Sequence, residues 1–514
     1  MKTIIRSTVI LSFLVGLNSC SKFLEINPTT QVSEQEFYKN EQEVMMGLYA
    51  IMDDAQNGLM EVFSYASLLS DESETGGGIG EGVYKEKYDR FTFDPTTSPA
   101  WWNEWDYGLY NGVTSCNILI SKLGQSSLPA TFTNAISAEA KFHRALFYYH
   151  LFMGYEQFPL IGDRLAPSQI YSVKKGTREE IYQFMMNDLS NDVIQYLPEK
   201  GSTQKGRISK DAARVLRAKI VLFQRDEQAY PTALADLKSI IASNRYALLP
   251  DYTKLWLKEG EFSAENIYDI TYAGNNTGEG NGLGRALSGR GVIDPRSAAQ
   301  GGLLEGYGQN TMPSTIYKMF KPGDTRREGT VIDYKKEIDK VNALVAAGQL
   351  EPSAAFRIQT NQENFEWLGH YKYHARKENA TDVNPLNNYS MPFRFFRYAD
   401  VLLLAIELQV RSLGQVDAEG QAWFNQIRDR AFQNANNRIS LQGLSKTDAL
   451  NRLFEERGYE FIDEMQRWFD IMRFDKGTEI LAAKGWTEKF RYFPIAQKEI
   501  DASKGALDQN PGWK

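Results

Sequence analysis

At 514 residues the chain is long enough for about three domains of ordinary size. Hydrophobic residues make up 42% and charged residues 24%, a balance that builds a buried core and excludes a disordered chain. The formal charge is −7 with no lysine- or arginine-rich run, which excludes nucleic acid as the main partner.

Lys2 and Arg6 precede an apolar run, residues 9–17, interrupted only by Ser12 and Gly16, and Leu17-Asn18-Ser19-Cys20 follows it. That run is too short to span a bilayer and has the length of a secretion-signal core. A small residue before a cysteine at this place resembles the lipobox of bacterial lipoproteins; the alternative is an ordinary secretory signal with a cysteine at its end. The resemblance implies cleavage before Cys20 and acylation of Cys20, with residues 1–19 removed. Several acyl chains hold a protein to a membrane where one does not, each buried methylene contributing about 0.8 kcal/mol. Losing Lys2 and Arg6 with the leader takes the charge from −7 to −9. With Cys20 lipidated, Cys116 is alone and no internal disulfide forms.

Residues 20–33 read as an extended, lipidated tether, since Pro28 and neighbouring threonines discourage helix. Ser33 and Glu36 have capping-box spacing, so helix is predicted from there past Met52. Residues 70–82 (SDESETGGGIGEG) read as an exposed loop, and Trp101-Trp102-Asn103-Glu104-Trp105 leads into a helix through Ile120. Helical periodicity then covers residues 134–155, 177–197 (opened by Thr177 and Glu180), 209–224 and 230–242. Small residues inside the last two allow close helix approach. The alternation suggests a helical repeat such as tetratricopeptide units, although the full repeat signature is absent.

Residues 265–273 (ENIYDITYA) read as a strand, and residues 274–308 as a long glycine-rich loop of the kind that carries function. Helix is predicted again over 397–413, 418–432 and 447–474, the last with one apolar face.

Five stretches in order resemble the SusD/RagB family, the surface glycan-binding lipoproteins of Bacteroidetes. They are SKFLEINP after Cys20, GRISKDAARVLRAKIVLF (206–223), FRYADVLLLAIE (396–407), ERGYEFIDEMQRWFDIMRF (456–474), and YFPIAQKEI with the later QNPGW (492–513). Asp400 stands where the family more often has Glu. The acidic residues that often follow the lipidated cysteine in this phylum begin here only at Glu25.

The resemblance implies that residues 34–514 form a single, mainly α domain, a tetratricopeptide-like scaffold of about four helix pairs with an irregular, loop-rich ligand-binding lobe. It implies an outer-membrane protein, lipid-anchored at Cys20 and facing the exterior. Such a protein captures oligosaccharide and delivers it to a SusC-like TonB-dependent transporter without cutting it. A peptide-binding member of the family and a glycoside hydrolase are the alternatives.

Sugar recognition needs flat apolar faces for C–H bonds and polar groups for hydroxyls. Trp101, Trp102 and Asn103 lie where the family places a platform tryptophan and its asparagine, and two adjacent tryptophans cannot both face one core. Asp71, Glu72 and Glu74 in the first loop, and Arg285, Arg290 and Tyr307 in the second, are further candidates for ligand contact; a merely solvated acidic loop is the plainer reading of the first three. No cofactor is implied, no catalytic residue is marked out, and no G-x-S-x-G, Walker or G-x-G-x-x-G pattern occurs. His370 and His374 have the spacing of a metal pair but lack an H-E-x-x-H context, and His143 and His150 read as packing residues.

Overall fold

A computed structural model describes residues 37–96, 99–166, 168–201, 204–274, 279–380 and 389–513. The leader, Cys20 and the tether lie outside these residues. The long helices are α1 (Glu41–Leu68), α2 (Pro99–Gly124), α3 (Ala130–Gly154), α4 (Arg178–Asp188), α5 (Lys210–Gln224) and α6 (Tyr230–Ala242), then α7 (Tyr334–Ala346), α8 (Tyr398–Leu413), α9 (Ala418–Phe432) and α10 (Lys446–Phe461). The fold is mainly α, as the periodicity predicts.

Helix starts follow local chemistry. The Asn40 side chain accepts from the Glu43 amide at 3.0 Å, so α1 begins at Glu41; the Ser33–Glu36 spacing lies outside the described residues. Residues 37–40 are bends, which rules out one helix running through them. Thr177 and Glu180 do form the predicted capping box, and Ser209, Asp417 and Ser445 cap α5, α9 and α10. The predicted 177–197 helix is split, with Arg178–Asp188 followed by a separate turn, Asn191–Ile194.

Neighbouring helices in sequence pack on one another: α1 on α2, α2 on α3, α3 on α4, α5 on α6, and α8 on α9. This is the helical-repeat scaffold. The α1–α2 crossing is close because Gly58 meets Gly108, where a Cβ on Gly58 would lie 3.0 Å from the Gly108 carbonyl carbon. Gly58→Leu is expected to cost about 1–3 kcal/mol by forcing the helices apart. Urea denaturation checks this, and an unchanged midpoint would contradict it.

The strands are short: β1 (Glu74–Thr75), β2 (Asn266–Ile270), β3 (Asn310–Thr311), β4 (Val331–Asp333), β5 (Leu368–His370) and β6 (Phe393–Arg397). They pair antiparallel as β1–β3, β2–β6 and β4–β5. β2 is the strand expected from ENIYDITYA. The helical core is separate from two small cores of the irregular lobe, one around Val292, Ile332 and Tyr334, the other around Met312, Ile316 and Phe320.

Two loop expectations are corrected. Residues 70–82 are not an exposed loop throughout, because Ser70, Glu72, Ser73 and Thr75 are buried and the chain emerges only near Ile79. β1 pairs with β3, and the Lys484 ammonium holds the carbonyls of Leu68, Ser70 and Ser73. In the second loop, Leu283–Leu287 is a short helix with Leu283 and Leu287 buried.

The last predicted helix is also broken. α10 stops at Phe461, Asp463 and Met465 take left-handed φ of 65° and 58°, and helix resumes at Arg467–Arg473. Buried charge compensates for the lost helical bonds. Glu464 accepts from Arg397 at 2.7 Å and Lys372 at 2.6 Å, and Asp463 bonds His370 at 2.7 Å.

Candidate functional site

The two glycine-rich segments meet at one cleft of about 270 Å³. Its walls carry Gly76, Gly77, Glu81 and Tyr84 from the first segment and Arg290, Tyr307 and Gln309 from the second. The β1–β3 pairing brings them together, extended by the Gly76 amide donating to the Gln309 carbonyl at 2.9 Å. Glycine is required there, since a Cβ on Gly76 would collide with the Gly308 carbonyl oxygen.

Across the cleft the Arg290 guanidinium donates to both carboxylate oxygens of Glu81, and the Gly78 amide donates to the same carboxylate at 3.2 Å. The Arg290 hydrogen bond, then that amide, hold the Glu81 carboxyl below its ordinary range, so it is ionised at neutral pH. Lys85 donates to the Gln309 side-chain oxygen at 2.9 Å. Tyr307 is 42% exposed and Tyr84 52%, which leaves two aromatic faces and a ring of polar groups open to a ligand.

Of the second-loop candidates, Arg290 and Tyr307 line the cleft. Arg285 sits with its guanidinium 5.6 Å from the Tyr307 ring centre, and its carbonyl accepts from the Tyr307 amide at 2.7 Å. Its visible role is to seat Tyr307.

The first-loop acids are placed differently. Glu72 is 1% exposed and its carboxyl oxygens have no hydrogen-bond partner among the described residues. Burial, then the nearby Asp463 and Asp71, push it well above the carboxylate range. An interior carboxyl does not reach a ligand at the surface, and Glu72 is not among the residues lining the cleft. Asp71 is clamped by Arg467 at 2.8 and 2.9 Å; burial raises its carboxyl, and Arg467 brings it below the usual value. That pair anchors the start of the loop. Glu74 lies in β1, where its carbonyl accepts from Thr311.

Trp101, Trp102 and Asn103 belong to the first turns of α2 and do not precede the helix. Their side chains lie outside the described residues. Glu81, Tyr84, Lys85 and Gln309 were missed by sequence reasoning. Glu81 alone had a signal, as the acid between glycines of GGGIGEG; the others needed the pairing of distant segments.

The histidines turn to the interior. His370 bonds Asp463 and the Asn310 carbonyl, while His374 bonds the Ala375 carbonyl and the Tyr334 hydroxyl. His143 and His150 each bond the carbonyl four residues back, as packing residues do.

A helical-repeat scaffold carrying a loop-built, aromatic and polar cleft points to the class of binding proteins, with that cleft in the irregular lobe as the candidate site. Residues 259–485 match the model of the SusD family, and residues 22–222 match a second model described as starch-binding associating with outer membrane. The chain belongs to the SusD/RagB family. It is 24% identical to SusD-like protein P25 of Formosa agariphila, over 91% of this chain and 90% of that one. A laminarin binding SusD-like protein superposes with a TM-score of 0.78 at 27% identity, covering 92% of this chain and 100% of that one. Surface glycan-binding protein A from Bacteroides thetaiotaomicron, in complex with laminarihexaose, gives 0.77 at 25% identity, covering 91% and 99%.

Proposed function

We propose that this chain captures an oligosaccharide in the cleft between its glycine-rich segments. The single observation that carries the reading is the pairing of exposed Tyr84 and Tyr307 with the Arg290–Glu81 pair in one cleft. Aromatic rings take the C–H faces of pyranoses, and fixed charged and amide groups take the hydroxyls. In the same reading Trp101 and Trp102 add a platform and Asn103 a hydroxyl contact. The relatives favour a glucan, with laminarihexaose the first ligand to try.

The protein holds its sugar and does not cut it. A glycosidase needs two carboxyl groups across the bond, roughly 5–10 Å apart, one of them protonated. Among the described residues Glu81 is the one acid lining this cleft, and its carboxyl is ionised. Lipid on Cys20 holds the protein to the outer face of the outer membrane, and a SusC-like TonB-dependent barrel receives the sugar.

Calorimetric titration with laminarihexaose tests the site. The Tyr84→Ala/Tyr307→Ala protein is expected to bind at least tenfold more weakly, a loss of more than about 1.4 kcal/mol. Trp101→Ala/Trp102→Ala is the parallel variant, and the sugar is expected back intact. Unchanged affinity in both folded variants would sink the placement, and shortened sugar would sink the non-enzymatic reading.

A further inference from the structure

A second groove, of about 560 Å³, lies on the helical scaffold and has no part in the sugar cleft. One wall is a stripe of α2 with Asn111, Thr114 and Ile118, spaced to share a helix face. The other wall is the chain after α3, with Ile170 and Tyr171 on its rim, and Ile495 and Leu507 near the C-terminus close the end. Ile170 is 54% exposed and Tyr171 60%, an apolar rim left open to water.

The walls are built and do not collapse onto each other. Tyr110 donates to the Pro159 carbonyl at 2.7 Å and Asn117 to the Ile161 carbonyl at 2.9 Å, fixing the second wall against α2. The surface mixes aliphatic side chains with four aromatic rings and a polar edge, and its aliphatic part, with Ile118, Ile161, Leu165 and Ile495, offers pockets for the apolar side chains of a peptide.

We propose that this groove is the seat of the chain's own segment of residues 21–36. Three observations select that occupant. The segment carries Phe23, Leu24, Ile26 and Val32, with Pro28 favouring extended chain between them. It joins the described body against the helix that forms the first wall: Tyr38 packs over Gly47 of α1, where a Cβ would also lie 3.3 Å from Leu119 of α2. Reach is ample, since fourteen extended residues from Phe37 back to Phe23 span up to about 46 Å, against about 10 Å of α2 from Asn111 to Ile118.

Tethering then decides the competition. A segment attached at Phe37 meets the groove at an effective concentration on the order of millimolar, which a second copy or a free peptide does not match. The consequence is mechanical: the chain leading to Cys20 leaves the body from the groove and not from the start of α1, so the body is held at a fixed face towards its anchor.

Disulfide trapping in the full chain with Cys20→Ser, where buried Cys116 is the only natural thiol, tests the seat. Leu24→Cys with Ile170→Cys is expected to close an intramolecular disulfide under mild oxidation at least tenfold faster than Leu24→Cys with Ile293→Cys, an exposed control on the irregular lobe. Equal rates would overturn the proposal. So would faster closure of Leu14→Cys with Ile170→Cys, which would make the leader the occupant. As a second readout, Phe23→Ser/Leu24→Ser/Ile26→Ser is expected to raise amide hydrogen exchange across residues 168–173 at least tenfold. Unchanged exchange there would also overturn the proposal, and neither readout depends on sugar binding.

Discussion

The Arg397→Ala protein is expected to lose about 3–5 kcal/mol of stability, the cost of removing one partner from a buried ion cluster. Arg397 ends β6, directly before α8, and is fully buried. It donates to Glu265 at 2.8 Å, to Glu460 at 2.7 Å and to both oxygens of Glu464 at 2.7 and 2.8 Å. Burial alone would raise the Glu460 carboxyl; Arg430, Arg397 and Arg326 together hold it far below the carboxylate range. Alanine leaves three interior carboxylates to share Arg430, Arg326 and Lys372. Arg397→Lys is expected to fall between, because an ammonium replaces a planar fork of donors with one point charge.

Urea denaturation measures both variants, and a loss below about 1 kcal/mol for alanine would show the cluster to be neutral, as some buried pairs are. The cluster also connects to the cleft between the glycine-rich segments. It stabilises the break after α10 through Glu464, and just beyond that break Arg467 clamps Asp71 at the root of the first glycine-rich segment.

Acid is expected to destabilise the protein well above the usual carboxylate range, through its buried histidines. Burial, despite a bond to a backbone carbonyl, lowers His143 and His150 to about 4 and His374 to about 3. An unfolded histidine titrates near 6.5, so below about that pH the unfolded chain binds protons that the folded chain refuses. Each tenfold difference in proton affinity is worth about 1.4 kcal/mol. Stability therefore falls as pH drops from about 6.5 towards 4, by up to about 3 kcal/mol for each of His143 and His150. Asp269 opposes this in part, since burial raises it to about 6 and its folded form takes up a proton in the same window. Asp470 is lowered to about 2, by Arg457 and Arg473 against the effect of burial, so its contribution is lost only below about pH 4.

His150→Phe isolates the effect. The ring sits among Phe63, Phe395 and Phe469, so phenylalanine keeps the packing and removes the titration. Between about pH 7 and pH 5 the variant is expected to lose about 2 kcal/mol less than the parent. Identical losses in paired denaturation curves would refute the assignment.

Local chemistry explains what was legible beforehand. The ranges of α6 and α9, the Thr177–Glu180 box and the β2 strand depend on neighbours within a few residues, and they stand as the sequence predicts. The five motif stretches in order carried the family. Arg290 and Tyr307 came from the part of the chain where the resembled family draws its sugar contacts, and both line the cleft.

What failed shares one cause. Glu72 reads as an exposed acid by its neighbours, yet β1 pairs with β3 far along the chain and takes it inside. The helix from 447 reads as continuous by its apolar face, yet Lys372 and Arg397 supply partners that make the break after Phe461 stable. The cleft itself joins residues 76–85 to residues 290–309. By itself, then, the sequence determined where most helices run and the Thr177–Glu180 cap, because those depend on periodicity and short-range hydrogen bonds, and its motif stretches carried the family. Only the tertiary structure decided which polar groups are buried, where the last helix breaks and which side chains share the cleft, because charge pairing and strand pairing act between segments that no local pattern connects.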